Sequence, residues 1–594
     1  MNQSPRFQLY SFKTRLLTVL IVFGLCFCTV LGRAFYLQIL KADYYKQKAK
    51  SQHERTLTLE PRRGRILDKD GRILAVSIQL ESLYAKPAQI KHPSKVARLI
   101  SPIINIPYHK LLAKLKSKKN FVWIKRKLTP KQAKKIKRIG FNGIDFMEEF
   151  RRYYPNGNFA GQILGYTGID SQGLEGIENK YEFLLAGKPR TYVVEKEGMY
   201  RTVPLSNIPK KIPDQYSLHL TIDSTIQHFA EMALRDGVIK SSADRGTVVA
   251  LHSKTGAILA MASYPGFDPN QYQLYQRANQ LNRAATSGYE PGSTFKMITV
   301  AAALNEGIIS PDQKFFCEEG KYNIGNNLVR DTSPYGIMTL LQIIKKSSNI
   351  CAAKIGMSMK PAKFHEYILR FGFGKRPNSG VAAEASGRVI SSKKWQTIDH
   401  ANISFGQAIL VSPLQMVSAA NVFANDGIFL PPYIIDHVRD KNGKRLKKIT
   451  NINGEIIQSF GKGIRSPVVN PYVAKLVKEY LISVTKEGGT AEKAAIKGYQ
   501  VAGKTGTSQI FDKQLGRYSN TRYISSFVGF APASEPLVTV LVIVEQPKSS
   551  YYGGIVAAPI FKKIVKRTLL FEDVLPFPEL ENDKINYQEK TVKL

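Results

Sequence analysis

The segment EPGSTFKMITVAAALNEG, residues 290–307, carries the pattern that decides the fold. Ser293 and Lys296 lie three residues apart, follow Pro291-Gly292, and open an apolar helix that Gly307 closes. Positions three apart share a helix face, so the Lys296 amine can reach the Ser293 hydroxyl. A serine hydroxyl becomes a nucleophile when a neighbouring base takes its proton, and burial can lower the pKa of a lysine enough for that task. The segment therefore predicts a serine nucleophile with a lysine base.

The Ser-x-x-Lys pattern alone is weakly specific, because the chain contains it four times. The other copies are Ser391/Lys394, Ser459/Lys462 and Ser483/Lys486. Only the copy at Ser293 follows Pro-Gly and opens a strongly apolar helix. Context therefore selects Ser293 over the other three serines.

A second candidate motif is Ser347-Ser348-Asn349, which lies between the amphipathic stretch MTLLQIIKK and the small-residue stretch ICAAKIG. Ser347 could relay a proton between Lys296 and a leaving amine, and Asn349 could hold a substrate amide. The structural alternative is a polar break between two helices. On its own this motif does not decide between the two interpretations.

A third candidate motif is Lys504-Thr505-Gly506-Thr507, on a predicted edge strand. Gly506 has no side chain, so a substrate backbone could lie against the strand as an added strand. Lys504 and the two threonine hydroxyls suit a carboxylate at the end of that substrate. The N–H of Thr507 is placed to donate to an oxyanion. The alternative is a polar turn between strands.

The order of predicted elements around these motifs indicates an α+β domain. A helix with Asp223 and Ser224 as candidate caps precedes two strands in residues 246–262, which flank the turn at residues 253–256. A long helical region follows, and three strands end the domain: VAGKTGT, YISSFVGFAPA and PLVTVLVIVEQ. This order predicts one antiparallel sheet, completed by both ends of the domain, with helices packed on both faces.

The N-terminal part predicts a membrane anchor and a separate domain. The uncharged run Leu16–Gly32 is followed, after Arg33, by the apolar stretch AFYLQIL. Together they are long enough to span a bilayer, and the lack of a good cleavage site favours an uncleaved transmembrane helix. The flanking charges give no orientation, but a short tail ahead of a large domain suggests that the bulk is exported. Residues 42–60 form a polar, helix-compatible stalk, and Asp70-Gly71 predicts a hairpin. A basic helical segment covers residues 109–138, and an amphipathic helix ends at Gly187.

Composition limits the other classes of function. The formal net charge of +40 favours contact with polyanions such as anionic lipid or acidic polymers, but no nucleic-acid recognition motif accompanies it. Cys26 and Cys28 lie within the apolar run, whereas Cys317 and Cys351 can pair only if the fold brings them together. The sequence has no Cys-x-x-Cys or His-x-x-x-His spacing, so we expect neither a metal site nor a cofactor.

The three motifs in this order resemble the signature of penicillin-binding proteins and serine β-lactamases. The resemblance extends to ALHSKTGAILAMASYPGFDPN, NRA, FGQAILVSPLQM, KTGTSQ, YISSFVGFAPA and YYGGIVAAPIF. Before residue 218, RGRILDKDGRILA, Arg152-x-Tyr154-Pro155 and GLEGIENKYE resemble the pedestal of class B penicillin-binding proteins. The Gly168–Glu178 stretch and the FVGFAPA/YYGG ending are most similar to the cell-division (septal) branch, with the elongation branch as the alternative.

The resemblance implies a d,d-transpeptidase that acts on peptidoglycan stem peptides ending in d-Ala-d-Ala and that is acylated by β-lactams. Ser293 is then the nucleophile, Lys296 the base, and Ser347 and Asn349 the relay and positioning pair. The strand residues Lys504, Thr505, Gly506 and Thr507 bind the substrate and its terminal carboxylate. The region before residue 218 does not resemble a glycosyltransferase, so a separate glycosyltransferase and division-complex membrane proteins are the expected partners. Nucleic acid is not one.

The expected organisation has five parts in a single-pass protein of the bacterial inner (plasma) membrane, with its bulk in the periplasm or extracytoplasmic space. They are a cytoplasmic tail (1–15), a transmembrane anchor (16–40), an elongated α+β pedestal of the penicillin-binding protein dimerisation type (41–215), a penicillin-binding/β-lactamase-like transpeptidase domain (216–572) and a polar C-terminal tail (573–594).

Two other functions stay open on the sequence. One is a d,d-carboxypeptidase or β-lactamase, in which water accepts the acyl group, although the pedestal, the length and the lack of a deacylating glutamate motif argue against it. The other is a division-complex scaffold that acts through its anchor and pedestal.

Overall fold

The computed structural model describes residues 5–59, 62–187, 190–197, 201–202, 215–450, 455–512 and 516–576. These residues belong to two compact units. One unit comprises Met1–Pro61 and Lys188–Pro213, and the other comprises Arg62–Gly187 and Asp214–Leu594. Residues 1–4 of the expected cytoplasmic tail and residues 577–594 of the expected C-terminal tail lie outside the described residues.

The helices and strands follow the chain in three groups. Residues 5–187 contain α1 (Pro5–Phe35), α2 (Ala42–His53), β1 (Glu54–Leu59), β2 (Ile66–Leu67), β3 (Ile73–Ala85), α3 (Pro93–Ile104), α4 (Tyr108–Leu115), β4 (Val122–Leu128), α5 (Pro130–Ile139), β5 (Ile144–Tyr153), α6 (Gly161–Leu164), α7 (Gly176–Lys180) and α8 (Glu182–Leu185). Residues 190–339 contain β6 (Arg190–Glu197), β7 (Arg201–Thr202), β8 (Ser217–Leu220), α9 (Ser224–Lys240), β9 (Arg245–His252), β10 (Ile258–Tyr264), α10 (Arg277–Gln280), α11 (Arg283–Thr286), α12 (Lys296–Asn305), β11 (Lys314–Phe316), β12 (Lys321–Ile324), β13 (Asn327–Arg330) and β14 (Ile337–Thr339). Residues 340–571 contain α13 (Leu340–Lys346), α14 (Asn349–Met357), α15 (Pro361–Arg370), α16 (Thr397–Ser404), α17 (Pro413–Ala424), β15 (Ile428–Phe429), β16 (Ile435–Arg439), β17 (Arg445–Leu446), β18 (Lys448–Thr450), β19 (Ile456–Ser459), β20 (Ser466–Pro467), α18 (Pro471–Thr485), β21 (Ala502–Asp512), β22 (Arg517–Ala531), β23 (Val538–Glu545) and α19 (Gly553–Phe571).

The first unit contains the apolar helix and a small sheet. Helix α1 continues into a π-helical turn, and the stretch Thr14–Leu40 is long and apolar enough to cross a bilayer, with none of its hydrophobic window buried in the protein. Cys26 and Cys28 are exposed on it. Strand β1 pairs antiparallel with β6, and β6 pairs with β7. The expected helix-compatible stalk over residues 42–60 is therefore helical only to His53, because residues 54–59 pair with a strand more than 130 residues away.

The larger unit begins with the β2–β3 hairpin, whose turn at Asp70-Gly71 confirms the sequence prediction. Strand β3 is long and pairs with both β4 and β5. Helices α3, α4 and α5 pack on these strands around a small separate core that includes Leu83, Ile100 and Ile136. Strand β2 also runs parallel to β8, which pairs with β16. One sheet therefore links the residues before 187 to those after 214.

Two local predictions in this region are wrong. The basic segment 109–138 is not continuously helical, because β4 divides it and pairs with β3, so that Leu83 faces Lys125 in the register. Strand pairing here overrides the helix propensity of lysine and arginine. The expected helix ending at Gly187 is two short helices, α7 and α8, broken at Tyr181 (φ −109°, ψ 27°). The break directs the buried Tyr181 hydroxyl to the Gly380 carbonyl, 3.0 Å away.

The five-stranded sheet of the larger unit has the predicted antiparallel form. Its strand order is β10-β9-β23-β22-β21, so strands from both ends of the domain meet in its centre. Helices α9 and α19 pack on one face and α17 and α18 on the other. Asp223 caps α9 by accepting hydrogen bonds from the N–H groups of Thr225 and Ile226, as expected from sequence. Strand β21 is at the edge of this sheet.

Candidate active site

Ser293 lies in a 3-10 turn, Gly292–Phe295, that leads directly into α12. A hydrogen bond stabilises the turn, because Gly292 N–H donates to the Gly406 carbonyl at 2.9 Å. Gly292 has φ +55°, and a Cβ there would lie 3.1 Å from the Thr507 carbonyl oxygen, so both conformation and space require glycine. The tight turn brings half-buried Ser293 to the edge of the sheet, at the start of a helix.

Lys296 is fully buried one helical turn further on. Its Nζ donates to the Ser347 carbonyl at 2.5 Å, to Asn349 Oδ1 at 2.7 Å and to Ser347 Oγ at 3.2 Å. Burial lowers the pKa of Lys296 to about 7, although the negative charge of Asp331 opposes the shift. A substantial fraction of Lys296 is therefore neutral near pH 7, as a general base requires.

Ser347 lies between two lysine amines. It ends α13 in the left-handed conformation, with φ 66°, and this turn directs the chain into α14. Its Oγ accepts from Lys296 Nζ at 3.2 Å and from Lys504 Nζ at 2.8 Å. A hydroxyl can both accept and donate, so this arrangement provides a path for a proton between the two amines.

Lys504 is the second fully buried lysine of the site. Besides Ser347 Oγ, its Nζ contacts the carbonyl of Thr505 at 3.2 Å and the Thr505 hydroxyl at 3.4 Å. Burial and the nearby positive charge of Lys296 lower the pKa of Lys504 well below its ordinary value. Two amines that share one hydroxyl in a buried site disfavour a state with both charged.

Strand β21 brings the third motif beside the serine turn. It pairs with β22 on one side, with Lys504 opposite Val528 and Gly506 opposite Ser526. The prediction that this motif lies on an edge strand is confirmed. Gly506 has a further structural reason, because a Cβ there would lie 2.3 Å from Ser526 Oγ and 2.9 Å from the Pro291 carbonyl. Glycine lets the strand approach the serine turn.

All eight sequence-predicted residues converge at this edge of the sheet: Ser293, Lys296, Ser347, Asn349, Lys504, Thr505, Gly506 and Thr507. The predicted contact between the Lys296 amine and the Ser293 hydroxyl is not made. None of the described residues donates a hydrogen bond to the Ser293 hydroxyl or accepts one from it. Catalytic hydrogen bonds often tighten only when substrate is bound. The other Ser-x-x-Lys copies have unrelated settings: Ser391 precedes a short 3-10 turn, Ser459 ends β19, and Ser483 lies within α18.

Four residues of the site were missed by sequence reasoning. Asp331 accepts hydrogen bonds from Ser348 and from the first turn of α14. Thr490 Oγ1 contacts Thr505 Oγ1 at 3.0 Å, and Gly553 N–H donates to Thr507 Oγ1 at 3.3 Å. Glu290 accepts from Tyr518 OH at 2.8 Å and from Ala408 N–H at 3.1 Å. Two of the four lie in stretches that the sequence analysis singled out: Glu290 precedes the Pro-Gly-Ser turn, and Gly553 belongs to YYGGIVAAPIF. Asp331 and Thr490 lie outside those stretches.

Cys317 and Cys351 form a disulfide, with Cα atoms 5.2 Å apart. This pairing answers the question that the sequence left open. Among the described residues, no group of three or more His, Cys, Asp or Glu side chains is placed to hold a metal ion.

The chain matches known proteins over most of its length. The model of the penicillin-binding protein transpeptidase domain matches residues 246–566, and that of the penicillin-binding protein dimerisation domain matches residues 58–212. The probable peptidoglycan D,D-transpeptidase PenA of Neisseria meningitidis is 33% identical over 95% of this chain and 93% of its own length. The peptidoglycan D,D-transpeptidase FtsI of Escherichia coli K12 is 31% identical over 98% and 96%.

A sporulation protein and a solved structure also match most of the chain. Stage V sporulation protein D of Bacillus subtilis is 32% identical over 94% of this chain and 85% of its own length. The crystal structure of penicillin-binding protein 3 from Mycobacterium tuberculosis, complexed with aztreonam, aligns with a TM-score of 0.67 and 25% identity, covering 88% of this chain and 98% of that chain.

Proposed function

This chain belongs to the class B penicillin-binding proteins and is a peptidoglycan d,d-transpeptidase, and on that premise we propose that it cross-links stem peptides through an acyl-enzyme on Ser293 during septal wall synthesis. The observation that carries the assignment of residues is the buried Lys296 amine, which shares Ser347 Oγ with Lys504 one turn from Ser293.

In the acylation step, neutral Lys296 takes the proton of Ser293 as Oγ attacks the carbonyl carbon of the penultimate d-Ala. The backbone N–H groups of Ser293 and Thr507 stabilise the oxyanion. The C–N bond to the terminal d-Ala then breaks, and its nitrogen receives a proton through Ser347. The lowered pKa values of both buried lysines support this transfer, because neither amine is a strong trap for the proton.

In the second step, an amine on a neighbouring stem peptide attacks the acyl carbon. The amine gives its proton to Lys296, and Lys296 passes that proton to Ser293 Oγ as the bond between Oγ and the acyl carbon breaks, so Lys296 is again neutral and Ser293 again carries its proton. The bond that forms is the cross-link. Asn349 orients the donor by its side-chain amide, which Lys296 and the Arg330 carbonyl fix in place.

The substrate binds along the free edge of β21 as an added strand. Thr505 and Thr507 present their hydroxyls to its terminal carboxylate, and Lys504 supplies positive charge. Contacts from Thr490 and Gly553 support this role, because they fix both threonine side chains before substrate arrives. The same positions accept the carboxylate of a β-lactam, which acylates Ser293.

The chain is a single-pass protein of the bacterial inner membrane with its bulk in the extracytoplasmic space. The apolar stretch Thr14–Leu40 supports the anchor. The Cys317–Cys351 disulfide supports export, because disulfides persist in oxidising compartments. The proposed divisions are a tail (1–15), an anchor (16–40), a pedestal (41–215), a transpeptidase domain (216–572) and a C-terminal tail (573–594).

The septal role is supported by the similarity to FtsI along nearly the whole chain. A separate glycosyltransferase and other division-complex membrane proteins are its partners in this proposal. Depletion of the protein distinguishes the branches: filamentous cells with unfinished septa support a septal role, whereas rounded cells favour elongation, and defects confined to spores would favour a sporulation role.

The catalytic assignment is tested on two separate samples of the full chain, one incubated with a fluorescent penicillin and the other with a pentapeptide donor and an amine acceptor. We expect wild type and the control Ser391→Ala to be labelled, whereas Ser293→Ala and Lys296→Ala are not. Cross-linked product identifies a transpeptidase. Release of d-Ala without cross-linked product, with the acceptor present, would favour the carboxypeptidase alternative.

A further inference from the structure

The loop between β11 and β14, residues 317–336, lies behind the second motif and is here called the brace loop. Its two ends are joined, because β11 pairs with β14 and Cys317 N–H donates to the Gly336 carbonyl at 2.8 Å. The loop contains the β12–β13 hairpin. Asp331 follows the hairpin directly.

The carboxylate of Asp331 holds the start of α14. Oδ2 accepts the Ser348 hydroxyl at 2.6 Å, and Oδ1 accepts the N–H groups of Asn349 and Ile350. These N–H groups belong to the first turn of a helix, which has no internal partners for them and favours a negative charge. Ser348 is fully buried and in turn caps the Cys351 N–H at 3.0 Å. Both neighbours of Ser348 contact Lys296.

The brace loop is itself fixed to α14 in two ways. The Cys317–Cys351 disulfide joins the start of the loop to the first turn of the helix, and both cysteines are buried. Lys354, one turn further along α14, donates to the Phe316 carbonyl at 2.8 Å and pairs with Glu318. From Cys317, hydrogen bonds continue through Gly320 to the Asp331 backbone: Gly320 N–H donates to the Cys317 carbonyl, and Asp331 N–H donates to the Gly320 carbonyl.

We propose that Asp331 is a positioning residue of the transpeptidase reaction: the brace loop holds its carboxylate against the first turn of α14, which sets Ser347 and Asn349 around Lys296, and the Cys317–Cys351 disulfide locks the loop in that position. This inference rests on the proposed roles of Ser293, Lys296, Ser347 and Asn349.

The charge of Asp331 also acts on Lys296. Among the described residues, two ionisable groups interact with the Lys296 amine, Lys504 from β21 and Asp331 from the brace loop. The negative charge of Asp331 raises the pKa of Lys296 against the larger effect of burial. Removal of that charge therefore lowers the pKa further, and the acid limb of the acylation rate moves to lower pH.

The test measures the acylation rate of the full chain by a fluorescent penicillin from pH 5 to 9. In Asp331→Asn we expect the high-pH plateau to fall tenfold or more and the acid limb to shift to lower pH, so that the deficit narrows in acid. Asp331→Glu keeps the charge and restores the limb and part of the rate. The matched control is Asp223→Asn, which removes the charge of the α9 cap beside β10, at the opposite edge of the sheet from β21, and leaves the rate within twofold.

A plateau of Asp331→Asn within twofold of wild type, or an acid limb that does not move, would overturn the proposal. This outcome differs from a failure of the proposed function. If the proposed function holds, wild type is labelled and Ser293→Ala is not. If it fails, wild type stays unlabelled or Ser293→Ala is still labelled.

The disulfide is tested in a Cys26→Ser/Cys28→Ser background, so that only the buried pair responds to reductant. We expect reduction, verified by the mass of alkylated thiols, to slow acylation threefold to tenfold. The variant that also carries Cys317→Ser and Cys351→Ser should match the reduced protein and not respond to reductant. If both retain the oxidised rate within twofold, the disulfide does not lock the loop.

Discussion

Buried cations occur in two regions of this protein with opposite pairing. In the region before residue 187, Arg63 and Arg152 are buried against the buried carboxylate of Glu178, at 2.6 Å and 2.5 Å. In the active site, Lys296 and Lys504 are equally buried but contact a hydroxyl, carbonyls and an amide, not a carboxylate. The buried cations of the first region are therefore paired with a carboxylate, whereas those of the second region are not.

The pKa values follow from this difference. Burial alone would lower the pKa of Arg63, yet its pKa is raised, because Glu178 and Glu182 outweigh that effect. Burial lowers the pKa of both active-site lysines. A paired buried cation stays charged and joins structural elements, whereas an unpaired one gives up its proton and becomes a base. The presence or absence of a carboxylate partner therefore separates structural from reactive cations in this protein.

The largest expected effect is on catalysis at the unpaired site. Lys296→Met removes the base, so we expect acylation to fall by roughly 100- to 10,000-fold. Because the substitution also removes a buried amine, the melting temperature should stay equal or rise. Stopped-flow labelling and thermal unfolding of the same samples measure both. A melting temperature that falls by more than about 8 °C would mean that Lys296 is a structural cation.

At the paired site, the expected effect is on stability. Glu178→Gln leaves Arg152 without a carboxylate partner and Arg63 with Glu182 alone, which should cost about 3–5 kcal/mol of unfolding free energy. The fraction that stays folded should acylate at the wild-type rate. Denaturant unfolding and active-site titration separate the two quantities. Loss of acylation per folded molecule would assign Glu178 a part in the chemistry.

The pH dependence of the unfolding free energy also tests the difference between the paired and the unpaired buried cations. Lys296 has a folded pKa of about 7, below that of the unfolded chain at about 10.4, so between these values the unfolded state binds more protons. The unfavourable effect of burying Lys296 is therefore greatest at and below about pH 7, and the free energy of unfolding increases from about pH 7 to about pH 10 as that effect disappears. We expect Lys296→Met to flatten this increase, in denaturant unfolding at pH 7, 8 and 9. An unchanged slope would contradict the lowered pKa.

The smallest effect is expected at exposed lysines. Lys134 and Lys135 lie on α5 and are exposed. Their joint replacement by glutamate should change the unfolding free energy by less than about 0.5 kcal/mol and leave acylation unchanged. A thermal scan with penicillin labelling is sufficient. A large change in either quantity would show that exposure is not what separates these lysines from Lys296.

The sequence predicted the residues of the candidate site better than it predicted the residues that hold them in place. Each of the three motifs is local, so its spacing is visible in the chain, and the strand meander that follows the helical region indicated an edge strand for Lys504. Asp331 and Thr490 act through contacts with residues 15 or more positions away, and nothing near them in sequence marks that role. The Cys317–Cys351 pairing also depended on tertiary structure.

The errors in the fold have one physical cause. The basic run at residues 109–138 contains strand β4 because its backbone pairs with β3, and residues 54–59 form a strand because they pair with β6. Local composition favoured helix in both places, but non-local hydrogen bonds decided. The helix expected up to Gly187 breaks where Tyr181 reaches the distant Gly380 carbonyl.

The most direct test of the central claim is the rate at which a β-lactam acylates Ser293 in the wild-type chain between pH 5 and 9, with the adduct mapped by peptide mass. We expect a rate that rises through about pH 7 and then levels off, with the adduct on Ser293. A rate independent of pH across that range, or an adduct on another serine, would contradict it.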